Sequence, residues 1–479
     1  MSDPPSPRWT WSGELRNIRM GNISLTEIEA HPMHHRFLFV ALLAASICSA
    51  AADEGTSPKG VSSRHVNEVS SILVDEYESL DALYKHLHSH PELSLNEKET
   101  AARLTRELRA AGFDVMEKVG GHGVVAVLKN GIGQTIMVRA DMDALPITET
   151  TGLSYASKVR TQDRYGRQVG VMHACGHDVN MTCLVGVARV LNAMKDKWQG
   201  TLVLVAQPAE EIGAGSRMML ADGLFQRFPR PDFCLATHCD ARFAHGHVNY
   251  RAGQMQSNVD SVDITVLGKG GHGAAPHTTI DPVVLAARIV LDLQTIVSRE
   301  VNPLNPAVVT VGSIHGGTKH NIIPSEVKMQ LTVRTTTDEV RQQVLDAIRR
   351  IARAAALSAR APEPLVNIDA DQFTPSLVND VELTGRTVSV FRDILGNDFV
   401  HERPMSLGGE DFSRYIRAGV PGFYFFIGSA SPNRVAEALK GGRPLEKTHT
   451  DKYFPIPEPT IRTGVLAMSA AVLNLVGKN

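Results

Sequence analysis

The chain has 479 residues, which at roughly 150 residues per domain suggests about three domains or one large domain carrying an insertion. Hydrophobic residues make up 43% and charged residues 21%, too apolar a balance for a disordered chain. Lys and Arg number 49 against 51 Asp and Glu, for a net charge of −2, and aromatic residues are 5%; this argues against nucleic-acid binding through a general basic field or a stacking platform.

Residues 1–52 stand apart. A run of 16 uncharged residues, Phe37 to Ala52, follows the basic Met33-His-His-Arg36 and precedes Asp53 and Glu54. A short basic stretch, a brief apolar core and small exit residues describe a secretory signal cleaved after Ala50 or Ala52. The run is shorter than the ~20 residues of a bilayer helix, so the expectation is an exported protein, periplasmic or secreted, without a stable membrane anchor after processing. Cleavage leaves Cys175, Cys183, Cys234 and Cys239. Four cysteines in an exported chain could form two disulfides, but a chain this long does not need them.

Apolar spacing predicts helix over residues 66–112 and strands at 124–128 and 135–139. A helix is expected at 181–194, and the β-rich run 201–206 reads as a strand buried in a parallel sheet. The middle differs. Alternating strands at 262–267, 307–314 and 327–333 are interleaved with helices at 282–297 and 337–356. Helix returns at 381–394, a buried strand at 422–427 and an apolar helix at 461–476. The fold class is therefore α/β. A catalytic domain with a mostly parallel sheet (66–255 and 371–479) is interrupted by an inserted α+β unit of split βαβ type (256–370).

The densest chemistry is His173-Ala-Cys175-Gly-His177-Asp178, where a glycine-containing loop could turn Cys175 and His177 toward one ion. Asp178, next in sequence, could orient the His177 imidazole. Glu210 and Glu211 follow the strand at 201–206, where α/β sheets place ligands. They point in different directions, so one could bind metal while the other holds a proton. His238 is read at another strand end, in Thr237-His-Cys-Asp240, and His449 lies in a polar loop. Such a set suits one or two divalent ions of the zinc, manganese or cobalt kind.

Together with Arg139-Ala-Asp-Met-Asp-Ala-Leu-Pro146, Gly270-Gly-His-Gly-Ala-Ala-Pro-His277, Glu410-Asp-Phe412 and His90-Pro-Glu-Leu-Ser94, these motifs resemble the M20 metallopeptidase superfamily from about residue 75 onward. More closely they resemble its amidohydrolase branch, the N-acyl-amino-acid, hippurate and auxin-conjugate hydrolases. The resemblance implies that Cys175, His177, Glu211, His238 and His449 ligate two metal ions, with Cys175 as bridge. It makes Glu210 the general base and His272 the group that steadies the developing oxyanion, often across a dimer. Asn321 matches a position near the substrate, and the inserted unit becomes a lid and dimerisation domain of a homodimer. Arg334 is either a substrate-carboxylate contact or an ordinary strand residue. Two positions depart from the pattern: Asn180 stands where relatives usually carry a second His, and Leu407-Gly-Gly409 where they more often have a small hydroxyl residue. Asp141 and Asp143 read as structural, or as carboxylates that support the ligands from behind.

The implied activity is metal-dependent hydrolysis of N-acyl amino acids, small-molecule substrates, to a carboxylic acid and a free amino acid. The alternatives are a dipeptidase or carboxypeptidase of the same superfamily, and a non-hydrolytic metal-containing binding protein.

Overall fold

The computed structural model describes residues 65–478; the signal-peptide expectation on residues 1–52 lies outside them. Leu73, Leu80, Leu83 and Leu87 bury one face of α1, Val66–Ser89. Pro91 then disfavours helical geometry at His90, whose φ is −128°. The helix expected over 66–112 is consequently two, α1 and α2, Lys98–Ala110.

The chain continues as β1 (Asp114–Val119), β2 (Gly123–Asn130), β3 (Thr135–Asp141), α3 (His177–Ala193), β4 (Gly200–Gln207), β5 (Phe233–Ala244) and β6 (Val248–Tyr250). The middle supplies β7 (Asn258–Leu267), α4 (Pro282–Thr295), β8 (Ala307–His315), β9 (Glu326–Thr335), α5 (Asp338–Ser358) and β10 (Leu365–Ile368). It closes with α6 (Val381–Leu395), β11 (Val400–Glu402), β12 (Gly422–Ala430) and α7 (Pro457–Val476).

Eight strands form the main sheet in the order β1-β2-β4-β3-β5-β12-β6-β11. Its centre, β4-β3-β5-β12, is parallel throughout. Leu202 to Ala206 in β4 is an unbroken apolar run because both faces are covered. One face packs under α1, α2, α3 and α7; Met219, Leu224, Phe412 and Tyr415 cover the other. α7 is long and apolar enough to cross a membrane by composition, yet it is a buried core helix here.

The second sheet has the order β8-β9-β7-β10 and is antiparallel. β9 alternates buried and exposed positions because helices cover one face only. Val262, Ile264, Val333, Leu285, Ile289, Val344 and Ile348 make its own apolar core. The side chains of Asp281 and Thr337 cap the N-termini of α4 and α5.

Candidate metal centre

Cys175 and His177 are turned toward one point by Gly176, whose φ is +84°. A Cβ there would lie 2.2 Å from Cys239 Sγ, so the turn requires glycine. His177 opens α3 and projects from its first turn. Glu210 and Glu211 leave the end of β4 through Ala209, held at a φ of +53°. The loop with His449 is anchored by the His449 N–H donating to the Ala174 carbonyl at 2.7 Å. His238 is not at a strand end: β5 runs on to Ala244, and His238 pairs within the sheet against Phe426.

These residues converge. Cys175 Sγ lies 3.4 Å from His238 Nε2 and 3.2 Å from His449 Nε2. His449 Nε2 is 3.5 Å from Glu211 Oε1. His177 Nε2 stands 3.9 Å from both Glu210 Oε2 and Glu211 Oε1. The ligand atoms of Cys175, His177 and His238 all lie within 4.8 Å of one another, as do those of Cys175, Glu211 and His449.

The imidazoles are oriented from behind. His177 Nδ1 donates to the Asp143 carbonyl at 2.7 Å and His238 Nδ1 to the Cys239 carbonyl at 2.7 Å, which turns each Nε2 toward the cluster. Asp178 does not orient His177. Its carboxylate accepts from His88 Nδ1 at 2.7 Å, on the other side of α3. Asp143 takes the part expected of Asp178 and also accepts the backbone N–H groups of Glu210 and Glu211, each at 3.0 Å. Asn180, in place of the usual histidine, donates to Asp141 at 2.8 Å and accepts from the Cys239 N–H at 3.2 Å.

The site concentrates buried negative charge. Asp141, Asp143, Glu410 and Asp411 are buried beside Glu210 and Glu211, with the fully buried Arg139 bonded to Asp141, Glu410 and Asp411. Burial, then Glu410 and Glu211, pushes the Glu210 carboxyl well above its usual range. Burial likewise raises Glu211 to about 7 against the pull of His177. His177 rises to about 10: burial opposes its charge, but Asp141 and the bond to Asp143 prevail. His177 Nε2 and Glu211 Oε1 are buried without a hydrogen-bond partner. Orphaned imidazole and carboxylate atoms beside the Cys175 sulfur, in an excess of negative charge, fit a divalent cation.

The cluster opens on a cavity of about 750 Å³ lined also by Gln256, Arg334, Arg403, Tyr424 and Phe426. His272 and Asn321 do not line it. Both are exposed on the second sheet's side, where the Gly273 N–H donates to the Asn321 carbonyl at 2.8 Å. Arg139 and Arg403 were not singled out from sequence as site residues, and Asp143 was read there only as a structural or supporting carboxylate. All four cysteines among the described residues are free.

Residues 137–440 match the profile of Peptidase family M20/M25/M40. The chain is 37% identical over 360 residues to the N-acetyl-L-cysteine deacetylase of Bacillus subtilis, covering 73% of this chain and 80% of that one. It is 34% identical over 398 residues to thermostable carboxypeptidase 2 of Saccharolobus solfataricus, covering 82% and 94%. A dinuclear metal-binding peptidase of the M20 family from Bacillus subtilis superposes with a TM-score of 0.66 at 29% identity, over 83% of this chain and 98% of that one.

Proposed function

The chain belongs to peptidase family M20/M25/M40 and is a hydrolase; from that premise we propose that it cleaves the amide bond of N-acyl amino acids, releasing a carboxylic acid and the free amino acid. The observation that carries this reading is the placement of Glu210 beside the orphaned His177 Nε2 and Glu211 Oε1 at the wall of a cavity large enough for such a substrate.

Cys175, His177, Glu211, His238 and His449 would hold two divalent ions, which when bound would supply Lewis-acid polarisation of the scissile carbonyl and lower the pKa of water. Cys175, whose sulfur lies between His238 and His449, would be a ligand common to both ions. Glu210 takes a proton from the attacking water and returns it to the leaving nitrogen. Asp143 fixes the backbone from which Glu210 projects. His272 reaches the oxyanion from a second copy in a homodimer, with Asn321 beside it, and residues 256–370 act as lid and dimer surface. With residues 1–52 as an N-terminal extension and signal peptide, the reaction takes place outside the cytoplasm.

The test is amine release from acetyl, benzoyl and indole-acetyl amino acids, before and after chelation and metal add-back. Release that a chelator stops and zinc, manganese or cobalt restores is expected. No release from metal-loaded protein would overturn the reading. The likeness to carboxypeptidases favours including dipeptides and longer peptides, and release from those alone would make the chain a peptidase.

A further inference from the structure

Arg403 is 5% exposed, yet it lines the cavity. Its guanidinium lies 4.2 Å from the centroid of Phe426, and that ring in turn meets His238 edge-on at 6.1 Å between centroids. Arg403 thus sits one aromatic ring away from the metal cluster. Its one side-chain hydrogen bond among the described residues runs from Nη1 to Asp240 Oδ2, at 3.1 Å.

That bond does not neutralise it. The Asp240 carboxylate is already held by Arg242, from Nε at 2.9 Å and from Nη2 at 2.6 Å. One carboxylate shared by two guanidiniums leaves a positive charge in excess. Arg403 Nε and Nη2 have no hydrogen-bond partner among the described residues, and the side chain lines the cavity. The face of Phe426 fixes the guanidinium plane and leaves its N–H edge for a planar acceptor.

Arg334, on β9, approaches the same cavity from the second sheet and makes no side-chain hydrogen bond or ion pair among the described residues. Lys447 adds a further cation to the lining. An uncompensated charge held in a low-dielectric pocket is costly until an anion meets it. One free carboxylate, which every acyl amino acid has, satisfies one of these arginines. Two arginines on different walls call for two.

Resting on the amidohydrolase reading above, we propose that the cavity is built for an acyl amino acid bearing a second carboxylate, one carboxylate facing Arg334 and the other bound by Arg403. The second acid group belongs either to the amino acid, as in an N-acyl glutamate or aspartate, or to the acyl part, as in a dicarboxylic acyl group.

Two matched pairs of substrates test this with the metal-loaded protein: N-acetylglutamate against N-acetylglutamine, and N-succinyl-leucine against N-acetyl-leucine. One acidic member is expected to exceed its neutral counterpart in kcat/KM by about 10- to 100-fold, the worth of a charge-assisted hydrogen-bonded pair. Which pair shows the gap tells which end carries the second acid. R403Q should collapse that ratio to near unity, whereas R403K, with charge but no fork, should keep part of it. Equal or faster cleavage of both neutral members overturns the proposal and leaves the amidohydrolase reading standing. A loss in R403Q that is equal for all four substrates makes Arg403 only a structural partner of Asp240 and also overturns it. Cleavage of none of the four overturns both readings.

Discussion

The carboxylate of Asp143 accepts the backbone N–H of Glu210 at 3.0 Å, with its other oxygen accepting the Glu211 N–H at the same distance. One side chain thus fixes the peptide that carries both the proposed base and a proposed ligand, while its own carbonyl orients His177. Asparagine at 143 would keep one acceptor and turn an NH₂ toward the other N–H. D143N is expected to lower kcat and metal affinity together, by about 10- to 100-fold each. Unchanged affinity in a metal titration would remove Asp143 from the support of the site.

Glu210 has a different signature. It is assigned the proton transfer and no place among the five ligands, so E210Q should lower kcat by about 100- to 10,000-fold. Metal content, measured on the dialysed variant, should match the wild type. A variant that loses its metal would make Glu210 a ligand instead.

The strands of the central sheet were legible because full burial writes continuous apolar runs such as Leu202 to Ala206. β6 and β11, three residues each, are too short to show any period. The proposed ligands were legible as candidates, chemistry-bearing types gathered in short motifs. Which support each of them leans on was not. Adjacency suggested Asp178 as the partner of His177, but one residue along a helix is a turn of about 100°, and that rotation carries Asp178 to His88 on α1. The actual partner, Asp143, lies beyond the end of β3, and only the folded sheet brings it there. Arg403, in a Glu402-Arg-Pro404 stretch, has the sequence character of a solvated loop. Its burial against Phe426 is a tertiary fact.

Gly176 makes a sharp test of how the cluster is assembled. A methyl group there must accept a left-handed backbone, a strain of about 1–2 kcal/mol, and also displace Cys239 Sγ from 2.2 Å. Either adjustment separates Cys175 from His177. G176A should therefore bind the metal ions far more weakly and lose nearly all turnover, while far-UV circular dichroism still reports the mixed sheet and helices. Full metal content in G176A would show that the turn tolerates a side chain and that the ligands are placed by other contacts.

His88 gives the fold a dependence on pH that is separate from the metal ligands. Its ring is buried with both nitrogens donating to carboxylates, Nδ1 to Asp178 at 2.7 Å and Nε2 to Glu149 at 3.1 Å. Burial opposes the charge, but the two carboxylates overcome it and raise the imidazole from 6.5 to about 9. The charged form is therefore favoured by folding. Its stabilisation is complete below the unfolded value near pH 6.5 and fades as pH rises through 9. At about 1.4 kcal/mol per unit, the loss is on the order of 3 kcal/mol. Metal-loaded protein should thus unfold in denaturant progressively more easily between pH 7 and 10. H88Q, which cannot titrate, should be less stable at pH 7 and show a shallower decline over that range. An identical slope in the two proteins would mean that the proton lost there belongs to another group.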